Sequence, residues 1–88
     1  MVKKEQNLEN NQILKLLKKR CLENKIILIF DKLENDGGIC KYKDKVYVIL
    51  NKMYDDSGKI KVFFIEIEKA GMIELFTDIK EIFEKNNN

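Results

Sequence analysis

The chain predicts a small α+β domain with a three-stranded, mainly antiparallel sheet. Three observations carry that expectation. A double glycine, Gly37-Gly38, leads into a short strand, a polar turn at Lys43-Asp44, and a second, more apolar strand. Five consecutive apolar residues, Ile26 to Phe30, precede this hairpin. Apolar residues at helical spacing flank the strands on both sides. With 88 residues, one domain is expected, spanning 1–88 with frayed ends at 1–9 and 86–88. A chain this short buries only about 60–65% of its unfolded surface, so its core must be well packed.

From Asn10 the pattern is helical. Ile13, Leu14, Leu17 and Cys21 share one face, with Leu16 on its flank. Asn10 or Asn11 can cap the start, and Lys18, Lys19 and Arg20 suit the negative end of the helix dipole. Asn24 is a stop signal, which places the helix over 10–23. Ile26-Ile27-Leu28-Ile29-Phe30 then reads as a strand, three of its residues being β-branched. Asn35-Asp36-Gly37-Gly38 turns the chain, and 39–42 and 45–50 form the hairpin.

The segment 59–68 carries two competing signals. Strand propensity is high, and Asp55-Asp56-Ser57-Gly58 would serve as a hairpin loop. Strand alternation slips at Phe63-Phe64, however, and would need a bulge. On a helical wheel Ile60, Phe63, Phe64, Ile67 and Ala70 gather in one sector, with Val62 and Ile65 outside it. Asp55 to Ser57 can start a helix and Gly71 can end one. A second helix is expected here, with a fourth strand at 59–68 as the alternative. Met72 to Phe76 reads as extended, and a short C-terminal helix follows Thr77-Asp78 through Ile79, Ile82 and Phe83. The expected core comprises Ile13, Leu14, Leu17, Ile27, Ile29, Val48, Leu50, Phe63, Phe64, Ile67, Ile79 and Phe83.

Composition narrows the chemistry. The chain has no histidine, which removes the commonest general base and zinc ligand. Its one serine, Ser57, and one threonine, Thr77, stand where helix caps are expected. No phosphate loop is present, because Gly37-Gly38 lacks the spaced glycines and the lysine. No zinc spacing occurs. No enzyme activity, cofactor, metal or small-molecule substrate is therefore expected. The net charge is +2, with 12 basic and 7 acidic side chains in residues 1–52 against 5 and 8 in residues 53–88. No apolar run approaches the ~20 residues of a membrane span. With no export signal behind Met1, a cytoplasmic location with free thiols at Cys21 and Cys40 is expected. The Lys, Asn and Ile bias, with one arginine, points to an AT-rich bacterial source.

Three patterns remain as candidate sites. Cys40 lies near lysines that would favour a thiolate, although its ordinary role is a small buried residue facing the core. Lys41, Tyr42, Lys43 and Lys45, with Tyr47, could contact phosphates and stack on bases, although lysines also guard sheet edges. Asp55, Asp56, Glu66 and Glu68 could meet a hard cation, but lack the ordered spacing of a calcium loop.

Gly37-Gly38-Ile39-Cys40 at the hairpin entrance and Asn51-Lys52 after it resemble a small bacterial α+β family of unassigned function. The resemblance implies an intracellular domain with a helix at 57–70, and no activity. A looser one links the helix–hairpin–helix order to small zinc peptidase domains. Where those carry His-Glu-x-x-His, this chain has Phe63-Phe64-Ile65-Glu66-Ile67-Glu68, which implies a lost metal site.

One helical layer leaves a sheet face partly apolar, and such a face commonly marks a protein contact. Ile26, Leu28, Phe30 and Tyr47 are the expected partner-binding residues. The expected function is association with another protein or with itself. Nucleic-acid binding through Lys41, Tyr42, Lys43 and Lys45 is the alternative.

Overall fold

A computed structural model describes residues 8–86. The elements run α1 (Asn10–Glu23), β1 (Ile26–Asp31), β2 (Gly37–Tyr42), β3 (Lys45–Asn51), α2 (Asp56–Lys69), a 3-10 turn (Ile73–Phe76) and α3 (Thr77–Asn86). The architecture is α+β, with three helices and a three-stranded sheet. Residues 1–7 and 87–88, most of the expected frayed ends, lie outside the described residues. Within them, Leu8 packs against the core, Glu9 is the N-cap of α1, and the Asn86 side chain donates to the Leu8 carbonyl.

Glu9, rather than Asn10 or Asn11, starts α1. Its N–H donates to Gln12 Oε1 at 2.9 Å, half of the reciprocal capping arrangement. At the other end Asn24 Nδ2 donates to the Arg20 carbonyl at 2.8 Å, and Lys25 turns the chain at φ 61°.

The sheet order is β1-β3-β2. β2 and β3 form the expected antiparallel hairpin. β1 pairs parallel with β3, so the sheet is mixed, with one pair of each sense. The hairpin folds back so that β3 lies in the centre, bonded on both sides. The connection 32–36 must then pass the end of β3, and Asn51 holds it there. This buried amide donates to the carbonyls of Leu33 (3.1 Å) and Asn35 (3.0 Å) and accepts from Met53 N–H (3.0 Å). Lys52 N–H bonds Asp31 O at 2.8 Å. A buried polar group is tolerated when its hydrogen bonds are made, and here they fix the crossover.

The segment after the hairpin is helical, not a fourth strand. Asp55 accepts from Gly58 N–H at 2.8 Å as the N-cap of α2. Gly71, at φ 74°, ends it, with Met72 N–H reaching back to Ile67 O at 3.0 Å. Ile60, Phe63, Phe64 and Ile67 are buried as the wheel predicts. Val62, outside the expected sector, is buried too, whereas Ile65 is exposed.

All three helices lie on one side of the sheet. Phe63 forms the centre of the core, edge-on to Phe64 (5.6 Å) and to Phe76 (5.1 Å). Phe76 comes from the 3-10 turn, where an extended segment was expected. Its ring is fully buried, and that burial secures the short turn between α2 and α3. Asp78, in the first turn of α3, accepts from the backbone N–H of Ile79 and also pairs with Arg20 of α1.

Candidate partner-binding surface

Alternation along each strand sends neighbouring side chains to opposite faces. The register aligns Ile26, Leu28 and Phe30 with Val46, Val48 and Leu50. Val48 and Leu50 are fully buried under the helices, so this row faces the core. The intervening residues Ile27 and Ile29 lie beside Tyr47 and Ile49. That row faces away from the helices.

The structure thus reverses the expected facing of β1. Ile26 is 1% exposed, and Leu28 and Phe30 pack against the core. Phe30 also lies beneath the ammonium groups of Lys18 (5.0 Å) and Lys59 (5.8 Å). Ile27 and Ile29, expected in the core, are on the open face, where Ile29 is 36% exposed. The physical reason is the uniform apolarity of 26–30. A strand without polar alternation does not declare which of its faces is covered. Of the expected contact residues Tyr47 alone lies on the open face. Sequence reasoning missed Ile27, Ile29 and Ile49 as its members. The signal for Ile49 was present in β3, where it alternates with Val48 and Leu50.

β2 completes the face. Gly38 lies across from Ile49 and Cys40 across from Tyr47. Gly38 has no side chain to shield Ile49. Cys40 is exposed, contrary to the buried role first expected, because the register aligns it with Tyr47 rather than Val48. Cys21 is buried in α1, and burial pushes its thiol up to about 12.

The hairpin end of this face is basic and aromatic. Tyr42, Lys43, Asp44, Lys45 and Tyr47 line a cleft of 260 Å3. The Lys43 ammonium sits 5.4 Å from the Tyr42 ring centre. Lys43 holds φ 58° at the turn. Lys41 belongs to the other row, opposite Val46, so it does not join Tyr42, Lys43 and Lys45. The Asp44 carboxylate also lines the cleft and would oppose a phosphate there.

The acidic residues serve the helices. Asp55 caps α2, Asp56 lies 4.0 Å from Lys59, and Glu66 lies 3.7 Å from Lys69. Among the described residues, no three His, Cys, Asp or Glu side chains are placed to hold a metal ion. No helix of the described residues is long and apolar enough to cross a membrane. The Tyr54 hydroxyl donates to Asp36, an interaction that raises the phenol pKa and ties the crossover to the start of α2.

No family model matches the chain, and no curated protein or solved structure does.

Proposed function

We propose that this protein works by association, and that its open sheet face receives another protein. The observation that supports the reading is the row Ile27, Ile29, Tyr47 and Ile49, over which no described helix or strand lies. Apolar groups grouped on one face gain free energy by leaving water, and a partner supplies the cover. The partner surface is apolar at its centre and carries carboxylates where it meets Lys43 and Lys45. The absence of histidine and the scarcity of hydroxyl groups favour a non-catalytic role.

The nucleic-acid reading draws on one observation, the cleft between Tyr42 and Tyr47 flanked by Lys43 and Lys45. Asp44 weakens it, as does the placement of Lys41 on the other side.

Paired pull-downs from the source cells test the choice. Wild type is expected to retain a stoichiometric protein that Ile49→Lys loses and the helix-face variant Ile65→Lys keeps. The result that rejects the reading is no such difference, together with binding to a labelled oligothymidylate that weakens with added salt and with Lys45→Ala.

A further inference from the structure

β1 is an edge strand, and its outer edge bears a row of free backbone groups. In a parallel ladder alternate residues bond to the neighbouring strand. Lys25 O accepts from Val46 N–H at 3.3 Å and Asp31 O from Lys52 N–H at 2.8 Å. The odd-numbered residues therefore face β3, and Ile26, Leu28 and Phe30 direct their N–H and C=O outward. Among the described residues nothing pairs with them. Edge strands are ordinarily guarded by proline, bulges or inward-pointing charges. β1 has none of these, and its register with β3 is continuous. A shallow groove of 180 Å3 runs beside the edge, lined by Lys18, Leu22, Ile26, Ile27 and Leu28. Leu22 in the last turn of α1 is 76% exposed there.

We infer that β1 pairs antiparallel with β1 of a second copy, Leu28 opposite the partner's Leu28, to make one six-stranded sheet. The strand is its own antiparallel complement in this register. Ile26 meets the partner's Phe30, Ile27 meets the partner's Ile29, and Lys25, in the turn just before the strand, comes near the partner's Asp31. Every apolar side chain gains an apolar neighbour, and opposite charges meet at both ends. The same register satisfies the backbone. Ile26, Leu28 and Phe30 are the residues whose N–H and C=O point outward, and this pairing makes each a hydrogen-bonded position. Because Phe30 comes beside Ile26, it also enters the groove that Leu22 lines. The two-fold symmetry closes the assembly at a dimer.

The pairing has a consequence for the open face. Three strands spaced ~4.8 Å apart, with a ~3.3 Å rise per residue, present a plane of only about 300 Å2. Stable interfaces take about 800 Å2 from each partner. Joining two copies edge to edge doubles the continuous platform and brings Ile27 and Ile29 of both copies together. The dimer uses the strand edge rather than the open face, so it stands or falls separately from the function proposed above.

Sedimentation velocity over rising protein concentration tests the pairing, alongside amide exchange. Wild type is expected to dimerise, with exchange at Ile26, Leu28 and Phe30 slowing as the dimer fills. Lys25→Asp and Asp31→Lys each place like charges opposite one another at both ends, and each is expected to weaken the dimer about tenfold. The double variant restores the pairs and the affinity. Aspartate tolerates the left-handed backbone at position 25. A monomer at every concentration overturns the proposal. So does a dimer lost in Ile49→Lys, which would mean stacked open faces, and so does a double swap that fails to restore affinity. Exchange at the β1 amides decides the matter on wild type alone.

Discussion

The two faces of this sheet are made from nearly the same residues and meet different surroundings. On one face Ile26, Val48 and Leu50 are buried beneath α1 and α2. On the other Ile27, Ile29, Tyr47 and Ile49 are no less apolar, and no described element lies over them. Each pair of neighbours along β3, such as Ile49 and Leu50, differs in facing by a single step of the chain. Hydrophobicity places these residues in a sheet; the position of the helices decides which of them belong to the core. Burying such a side chain fully contributes about 1.5–3 kcal/mol, a gain that the open row realises only in part until something covers it. The covered face therefore holds the fold, and the open face is available for function.

The sharpest way to break this contrast is to truncate neighbours on opposite faces. Leu50→Ala is expected to cost about 2–5 kcal/mol, because it opens a cavity under the helices. That is a large part of the stability of so small a domain. Ile49→Ala is expected to cost less than about 1 kcal/mol. Urea unfolding of the two variants measures the difference. Equal losses would mean that the open face is covered within the protomer.

The double glycine offers a second paired test. Gly37 holds φ 146°, and a Cβ there would lie 2.3 Å from the Ile49 carbonyl oxygen. A Cβ on Gly38 would meet nothing within 4 Å. Gly37→Ala is expected to destabilise by about 1–3 kcal/mol, through strain and displacement of the β3 backbone. Gly38→Ala should be neutral or mildly stabilising, since it restricts the unfolded chain and meets no obstacle. Thermal melts of the two variants separate the cases.

These pairs also mark where the sequence was readable. α2 was legible because its apolar residues repeat at helical spacing between an Asp cap and Gly71. The hairpin was legible because Gly37-Gly38 and the polar turn Lys43-Asp44 bracket its strands. β1 was not, since Ile26 to Phe30 is apolar throughout and leaves both facing and pairing sense open. Its parallel pairing depends on the crossover that Asn51 secures, a long-range contact with no local signature. Phe76 was missed for the same reason, its burial depending on Phe63 rather than on its own short segment. Cys40 follows from register. Once β2 pairs with β3 at Ile39–Val48, the neighbouring thiol must face the open side.

The two thiols sharpen the contrast through chemistry. Cys40 is exposed and Cys21 is buried, where the loss of solvation holds the thiol up to about 12. A thiol reagent at pH 8 should modify one cysteine within minutes, and the second only on unfolding. Mass spectrometry should place the fast adduct on Cys40. The folded-state value of Cys21 lies above that of the unfolded chain, about 8.5. Its contribution to stability is therefore full below that pH and declines as pH rises toward 12. Cys21→Ala should flatten the alkaline side of the stability profile.

The smallest expected effect lies away from the sheet, where α1 meets α3. Arg20 grips both oxygens of Asp78, at 3.0 and 2.9 Å, and also donates to the Leu75 carbonyl at 2.7 Å. The hydrogen bonds from Arg20 hold the Asp78 carboxyl below its ordinary value. A depressed folded-state value means that the stabilisation is present above about pH 4 and fades as the carboxylate protonates in more acidic solution. The Asp78 side chain is 62% exposed, so water and salt screen the pair. Asp78→Asn is expected to cost no more than about 1 kcal/mol at neutral pH and to reduce the loss of stability on acidification. Arg20→Lys keeps the charge but not the planar fork, and should lose part of the same small increment. Melting temperatures between pH 3 and pH 7 measure both. A loss of several kcal/mol in Asp78→Asn would move the weight of the fold from the covered sheet face to this helix contact.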